Sequence, residues 1–254
     1  MHLPKTPSFR LDGRKALVTG AGRGIGLAAA AALADAGAHV TLCARSEGEI
    51  MAAAEAIRAR GQQADALQLD VTDTAKVREE IAKRGPFQIL FNNAGGNRPQ
   101  TLLDVTEADY DAVTDLNVRA AVFVAQAVVK GLLAAGLPGS IINVSSQMGL
   151  VGGPKRTVYC ATKHAIEGAT KAMAWELGGN GIRVNTICPT FTETPMTEGF
   201  LSDPEFVAFV KSKIALGRLG QVEDLMGAIV FLASDASALV TGSALVVDGG
   251  WTAQ

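Results

Sequence analysis

The feature that most constrains the fold is a repeated alternation of short apolar runs with longer, alanine-rich segments. Apolar runs predict strands at residues 16–19, 38–44, 64–69, 88–92, 140–145, 182–188 and 244–247, and the segments between them predict helices at 25–36, 47–60, 73–83, 106–135, 157–177 and 221–234. Continuous apolar strands are typical of sheets buried on both faces. Strands separated by helices pair in parallel through right-handed crossovers. The sequence therefore predicts an α/β fold, a doubly wound, mostly parallel seven-stranded sheet in one domain over residues 1–254.

Residues 189–216 interrupt this alternation. They are rich in Thr, Pro, Phe and Met, and they follow the end of a predicted strand. Ligands of open α/β sheets bind outside the carboxyl ends of the strands. We therefore predict that this insertion is a lid over a substrate site.

Composition excludes several classes of partner. The net charge is only -2, which gives no reason to expect nucleic acid or an anionic membrane. Cys43, Cys160 and Cys188 are scattered, which argues against a disulfide framework and favours a reducing cytoplasm. No His pair has ligand spacing, so no metal site is expected. Apolar runs end short of ~18 residues and residues 1–14 lack a signal-peptide core, so we predict no membrane span and a cytoplasmic location.

A glycine cluster, Gly20, Gly24 and Gly26, lies between the first predicted strand and the first predicted helix. Bare backbone amides and a helix N-terminus at this place suit the pyrophosphate of a dinucleotide. The spacing is not Gly-x-Gly-x-x-Gly, and a plain tight turn is the alternative explanation. The strand before the cluster and the helix after it favour the nucleotide.

Residues 19–26, Thr-Gly-Ala-Gly-Arg-Gly-Ile-Gly, resemble the Thr-Gly-x-x-x-Gly-Ile-Gly cofactor motif of the short-chain dehydrogenase/reductase family. Other family signatures match in register, namely Asp70-Val71, Asn92-Asn93-Ala94-Gly95, Asn117, Ser146, Tyr159 with Lys163, and Val247-Asp-Gly-Gly250. The chain is similar in particular to bacterial sugar and sugar-acid dehydrogenases and to 3-oxoacyl reductase-like members. The resemblance implies a Rossmann domain, an NAD(P)-dependent enzyme interconverting a secondary alcohol and a ketone, and a homotetramer built on the helices around 106–135 and 157–177.

Tyr159 and Lys163 are four residues apart on a predicted helix and so share a face. A nearby ammonium favours the phenolate, and a lowered tyrosine pKa would suit proton exchange with an alcohol or ketone. A surface Tyr–Lys pair is the alternative. Ser146 has the hydroxyl to bind the carbonyl oxygen, or it caps a turn, and Ser145 is its rival. The resemblance implies that Asn117 holds a water linked to Lys163. The alternative is that its buried side-chain amide hydrogen-bonds to backbone groups left free where the helix bends.

The resemblance also implies which residues contact the cofactor, namely Gly20, Arg23, Gly24, Ile25, Gly26, Arg45, Asp70, Val71, Asn93, Ala94, Gly95, Tyr159, Lys163, Pro189 and Thr194. One position departs from the family, because Thr190 follows Pro189 where glycine is usual. Threonine does not enter glycine-only backbone regions cheaply. Either this turn needs no positive φ, or the nicotinamide pocket is reshaped.

The residues after the second strand favour NADP. An acid there would bind the ribose of NAD, but the position holds Ala44 and is followed by Arg45. Arg45, with Arg23 on the same side of the predicted cofactor site, could form charge-assisted hydrogen bonds to a 2′-phosphate. Alternatively, Arg45 stacks on adenine or pairs with Glu47 or Glu49, and NAD is used.

Two loops should flank the catalytic tyrosine. They carry Arg98, Lys155 and Arg156, and Gln147 lies beside Ser146. Three cations at the entrance of one substrate site suit a sugar acid or another hydroxy or keto acid. We therefore predict that Arg98, Gln147 and Arg156 contact the substrate. Alternatively, these cations are solvated surface charges of the loops and do not contact a substrate.

Two other functions are compatible with the sequence. Phenylalanines in the insertion are compatible with apolar ketones or 3-oxoacyl substrates, although a helix stripe packing on the core explains some of them equally well. A nucleotide-sensing protein without catalysis could use the same fold. The presence of both Tyr159 and Lys163 favours an enzyme.

Overall fold

The computed structural model describes residues 3–253; Met1, His2 and Gln254, at the ends of the predicted 1–254 domain, lie outside the described residues. The strands are β1 (Lys15–Thr19), β2 (His39–Ala44), β3 (Ala64–Gln68), β4 (Ile89–Asn92), β5 (Gly139–Val144), β6 (Ile182–Pro189) and β7 (Ala244–Val247). The helices are α1 (Gly24–Asp35), α2 (Glu47–Ala59), α3 (Thr74–Arg84), α4 (Glu107–Thr114), α5 (Ala121–Ala135), α6 (Thr157–Leu177), α7 (Glu198–Leu201), α8 (Pro204–Lys213) and α9 (Glu223–Ala233).

The seven strands form one sheet in the order β3-β2-β1-β4-β5-β6-β7, and every pairing is parallel. The prediction of a doubly wound sheet is confirmed. Two apolar cores cover its faces. One joins β1 and β2 to α1 and α9 through residues such as Leu33 and Ile229, and the other joins β4 and β5 to α3 and α5 through Phe87 and Val128. Burial on both faces explains why the strands are continuous apolar runs.

Strand order reverses at β1, because β2 lies on one side of it and β4 on the other. Crossovers on the two sides leave the sheet in opposite directions, so a crevice opens where β1 and β4 end. The chain segments after Thr19 and Asn92 border that crevice.

The predicted helix at 106–135 is continuous but not regular. A π-helical turn, Asp115–Ala120, joins α4 to α5 and contains the buried Asn117. The hydrophobic periodicity of the sequence does not predict the wider winding of this π-helical turn. Such turns often occur at functional sites. The other predicted boundaries agree with the structure to within two residues.

The same continuous helix, Glu107–Ala135, is by length and composition apolar enough to cross a membrane, which the sequence analysis did not expect of any segment. A core helix of a soluble protein passes this test as well. Its apolar residues Val124, Val128 and Leu132 are buried against the sheet. No other described helix meets the criterion.

The 189–216 insertion contains α7 and α8 and has a small apolar cluster of its own. Val210 and Ile214 form its centre, and Phe191 packs edge-on against Phe206 with ring centroids 5.5 Å apart. Some of its phenylalanines therefore pack within the insertion, as one reading of the sequence suggested. Phe200 is different, because its ring lies under the guanidinium of Arg156 at 5.1 Å.

Candidate active site

A cleft of about 370 Å³ lies across the carboxyl ends of β1, β4, β5 and β6. Most of the predicted site residues line it, namely Gly20, Arg23, Gly24, Ile25, Arg45, Asp70, Val71, Asn93, Ala94, Gly95, Ser146, Tyr159, Lys163, Pro189 and Thr194. Gly26, Arg98, Asn117, Gln147 and Arg156 are not among the lining residues.

The glycine loop brings the backbone to the floor of the cleft. Gly20 and Gly24 have φ of +63° and +57°, which other residues rarely adopt. A Cβ at Gly26 would lie 2.1 Å from the carbonyl oxygen of Gly20, so this glycine permits the loop to close on α1. No acidic residue occupies the first turn of α1, and its free amides therefore suit an anion.

The loop after β4 locks the glycine loop in place. The hydroxyl of Thr19 accepts hydrogen bonds from the backbone amides of Asn93 and Ala94, at 2.9 and 3.0 Å. The side-chain amide of Asn93 donates to the carbonyls of Thr19 and Gly20. These bonds join the two strand ends at the point where the strand order reverses.

At the far end of the cleft, Arg45 is exposed and forms no ion pair with any described residue. Glu49, one of its predicted alternative partners, lies 3.8 Å from the guanidinium of Arg23 instead. Burial acts to raise the pKa of Asp70, but hydrogen bonds from Thr72 and the charge of Arg45 outweigh it and lower that pKa. Arg45 thus faces the cleft with an available guanidinium.

Lys163 is a buried cation, with 6% of its surface exposed. Its Nζ donates a 2.7 Å hydrogen bond to the carbonyl of Val144 at the end of β5, and it lies 5.5 Å from the ring centroid of Tyr159. Burial lowers the pKa of Lys163 to about 8. An ammonium in this position costs free energy that only polar neighbours can offset.

Tyr159 and Ser146 meet at the same end of the cleft. Burial raises the pKa of Tyr159, whereas a hydrogen bond with Ser146 and the positive charge of Arg156 act in the opposite direction. This differs from the sequence-based expectation, in which Lys163 supplied the charge. Ser146 also caps the following turn by accepting a hydrogen bond from the amide of Met148, whereas its contact with a substrate oxygen stays a prediction.

Asn117 ties the loop after β4 to α6. Its Oδ1 accepts from the amide of Gly96 at 2.8 Å, and its Nδ2 donates to the carbonyl of Gly96 and to the hydroxyl of Thr162. The side chain is therefore fully used in positioning. The predicted water relay through its helix remains a prediction.

Thr190, which stands where the family usually has glycine, does not strain the backbone. Among the described non-glycine residues, only Lys155 has a positive φ, so the turn after Pro189 does not need glycine. Thr190 lines the cleft, and its buried hydroxyl oxygen has no hydrogen-bond partner among the described residues. Thr194 borders Gly24, where a Cβ would lie 3.3 Å from its methyl group.

The three predicted substrate residues differ in their surroundings. Arg98 is exposed, and its guanidinium pairs with Asp109. Arg156 is 8% exposed, and its guanidinium stacks on Phe200 and donates to the carbonyl of Lys155 without a carboxylate partner in the described chain. Gln147 is buried, and its Oε1 has no hydrogen-bond partner in the part of the chain that the structure describes.

Several residues that line the cleft were not predicted from the sequence, namely Gly22, Ser46, Leu69, Gly96, Leu116, Val144, Thr192, Pro195 and Thr197. Most are neighbours of predicted residues and contribute backbone or apolar surface. Thr197 is an exception, because its hydroxyl bonds to the carbonyls of Thr192 and Thr194 and so holds the start of the insertion together. No residue pattern marks such a turn in advance.

Comparisons with known proteins agree with this geometry. A family model described as enoyl-(acyl carrier protein) reductase matches residues 20–252. L-xylulose reductase from Bos taurus is 41% identical over 96% of this chain and 99% of its own length, and gluconate 5-dehydrogenase from Gluconobacter oxydans (strain 621H) is 41% identical over 96% of both. The crystal structure of a gluconate 5-dehydrogenase from Burkholderia cenocepacia J2315 in complex with NADP and tartrate has 40% identity and a TM-score of 0.93, covering 97% of this chain and 98% of that one.

The glycine loop yields a stability prediction. Gly26→Ala should lower the free energy of unfolding by about 1–3 kcal/mol, because its Cβ has no room beside the Gly20 carbonyl. Gly48→Ala is the matched control, since a Cβ there meets nothing within 4 Å on α2 and should stabilise the helix by roughly 0.5–1 kcal/mol. Chemical denaturation at fixed protein concentration measures both. Equal stability of the two variants would contradict the loop geometry.

Proposed function

The chain belongs to the short-chain dehydrogenase/reductase family, and we propose that it is an NADP-dependent oxidoreductase that interconverts a secondary alcohol and a ketone on a sugar acid or a related hydroxy or keto acid. One observation carries the proposal. A tyrosine, a serine and a buried lysine meet at one end of a cleft, and its other end holds a glycine cradle and an arginine with no ion-pair partner among residues 3–253.

The cradle fits NADP. The positive-φ glycines and the amides at the start of α1 suit the diphosphate, and Asp70 and Val71 line the part of the cleft beside Arg45 that suits the adenosine. Arg45, with Arg23 and the hydroxyl of Ser46 nearby, would hold the 2′-phosphate. The Burkholderia cenocepacia relative, at 40% identity, carries NADP in its crystal structure. The absence of an acid at Ala44 removes the usual basis for preferring NAD.

When bound, NADP supplies the nicotinamide carbon that exchanges a hydride with the substrate. Ser146 orients the substrate oxygen with its hydroxyl and stabilises the charge that develops there. The Tyr159 hydroxyl exchanges a proton with the same oxygen. The Lys163 ammonium lies 5.5 Å from the centroid of the tyrosine ring, and its positive charge would add to that of Arg156 in favouring the phenolate when the proton leaves. Asn117 keeps the loop after β4 in register with α6.

Arg156 supports an acidic substrate. It is a buried cation beside Tyr159 with no carboxylate partner among residues 3–253, and burial lowers its pKa. A buried charge gains most from a partner of opposite sign. Gln147 adds an unpaired buried oxygen that suits a substrate hydroxyl. Relatives named for gluconate and L-xylulose act on polyhydroxylated compounds, and the Burkholderia cenocepacia structure contains tartrate. Arg98 is a weaker candidate because Asp109 already pairs with it.

A reductase of 3-oxoacyl or other apolar ketones is the second candidate. The family model carries the description of an enoyl-(acyl carrier protein) reductase, and Met196 and Leu116 line the cleft. The buried charge of Arg156 argues against an acyl chain in its neighbourhood, because desolvating it further would cost free energy.

We also propose that the enzyme is a cytoplasmic homotetramer. The helix faces named in the sequence analysis carry exposed apolar side chains, among them Tyr110 and Trp175, the latter 89% exposed. Exposed aromatic side chains are enriched at protein–protein interfaces. All three cysteines are free, as expected in a reducing compartment.

Tyr159→Phe tests the proton carrier. Turnover should fall at least 100-fold because only the proton-carrying oxygen is lost, while NADPH binding, followed by fluorescence titration, should change little. Tyr110, the other tyrosine in the chain, provides the matched control, and Tyr110→Phe should retain full turnover. More than a tenth of the original activity in Tyr159→Phe would rule out the assignment.

Arg45→Ala tests the cofactor preference. Loss of a charged hydrogen bond to the 2′-phosphate should weaken NADP binding by about 1.5–3 kcal/mol, or roughly 10- to 150-fold, with little effect on NAD. Arg78→Ala, at an exposed arginine on α3, is the control. Calorimetric titration with each cofactor measures the two affinities. Equal weakening of both, or a parent enzyme that prefers NAD, would refute the role of Arg45.

Arg156→Met tests the substrate charge. The variant keeps apolar volume against Phe200 but should lose the preference for an acid over its neutral ester, seen as a fall in kcat/KM for the acid alone. Lys155→Met, at the exposed neighbour, should keep the preference. Because Arg156 is buried, added salt should reduce the preference only weakly. Equal kcat/KM values of the parent enzyme for acids and for their neutral analogues would show that Arg156 does not recognise the negative charge of the substrate.

A further inference from the structure

Behind Lys163 lies a buried carboxylate that the proposed reaction does not use. Glu167 is 6% exposed and sits four residues after Lys163 on α6, so both side chains lie on the same face of the helix. Glutamate is rarely buried to this extent unless it is paired.

Its two oxygens are held by residues of β6. Thr186 donates its hydroxyl hydrogen to one oxygen at 3.0 Å, and the Cys188 thiol donates to the other at 3.2 Å. Burial, followed by the negative charge of Glu167, raises the pKa of Cys188 to about 12, so the thiol stays protonated and can donate. Two neutral donors fix the position of the carboxylate without neutralising it.

Within the described chain, no cation lies within ion-pair distance of Glu167. The titratable groups that face the Lys163 ammonium are Cys188 on β6, Glu167 on its own helix, and Tyr159, whose ring centroid lies 5.5 Å away; Cys188 and Glu167 both act to raise the pKa of Lys163. The adjoining end of β5 contributes the carbonyl of Val144, and the π-helical turn contributes the neutral amide of Asn117 through Thr162. Because Cys188 is neutral, Glu167 supplies the negative charge in this neighbourhood.

We propose that Glu167 is a positioning residue that keeps the Lys163 ammonium charged in the protein interior. Burial opposes that charge, and a pKa of about 8 leaves little reserve at neutral pH. A carboxylate one helical turn away, anchored to the next strand, offsets part of the desolvation cost. Its effect on turnover rests on the role proposed above for Lys163, whereas its effect on the lysine itself does not.

The test measures Lys163 directly in the protein without cofactor. Lysine is labelled with ¹³C at Cε, the Lys163 signal is assigned by its loss in Lys163→Met, and its chemical shift is followed against pH. Glu167→Gln should move the lysine midpoint to lower pH by about one pH unit, because removing a negative neighbour disfavours the ammonium. Glu176→Gln, at an exposed glutamate of the same helix, should leave the midpoint unchanged.

Two further variants separate charge from packing. Cys188→Ala removes a hydrogen bond but not the carboxylate, so the Lys163 midpoint should not fall as it does in Glu167→Gln. The coupling is reciprocal, so in Lys163→Met the Glu167 carboxyl, followed by ¹³C at Cδ, should titrate at higher pH than in the parent. This second measurement also decides the matter if Glu167→Gln fails to fold.

An unchanged lysine midpoint in Glu167→Gln, an equal fall in Cys188→Ala, or an unshifted carboxyl in Lys163→Met would overturn the proposal. In the active enzyme, the high-pH limb of kcat should move to lower pH in Glu167→Gln by the same amount as the lysine midpoint. A moved lysine midpoint with an unmoved kcat limb would instead refute the catalytic role of Lys163.

Discussion

The reversal of strand order at β1 is the constraint on which the site depends. It opens the crevice in which the glycine loop and the loop after β4 face each other, joined by Thr19 and Asn93. Each catalytic candidate enters from an element that this topology brings to the same edge: Ser146 after β5, Tyr159 and Lys163 from α6. The chemistry proposed here needs these groups close together, and the parallel sheet supplies that closeness before any ligand binds.

Charge burial is the second organising feature. Lys163 and Arg156 are both largely withdrawn from solvent, and each is stabilised differently. Lys163 has a carbonyl in contact and Glu167 a helical turn away, whereas the partners of Arg156 among residues 3–253 are an aromatic ring and a carbonyl. The first arrangement is complete within the chain, and the second gains from an anion supplied from outside. This difference supports the proposed roles of Lys163 in catalysis and of Arg156 in substrate recognition.

The strands, the helices and their parallel pairing were predictable from the sequence because apolar runs and helix periodicity report burial directly, and strand–helix alternation implies parallel crossovers. The order of the strands in the sheet was not predicted. The π-helical turn at Asn117 and the hydrogen bonds of Thr197 were not, since neither leaves a pattern in residue type. Spacing placed Tyr159 beside Lys163, but it could not predict that the ammonium turns to Val144 and that Arg156 acts on the phenol. Loop position alone also made Arg98 and Arg156 equivalent, and only burial and pairing distinguish them.

The most direct test of the account is the fate of one hydrogen atom. A sugar acid deuterated at the reacting secondary carbon is incubated with the enzyme and NADP, and the reduced cofactor is analysed by mass spectrometry. We expect stoichiometric transfer of deuterium to the cofactor together with formation of the keto acid. Reduced cofactor without deuterium, or no reduction with any secondary alcohol of this class, would contradict it.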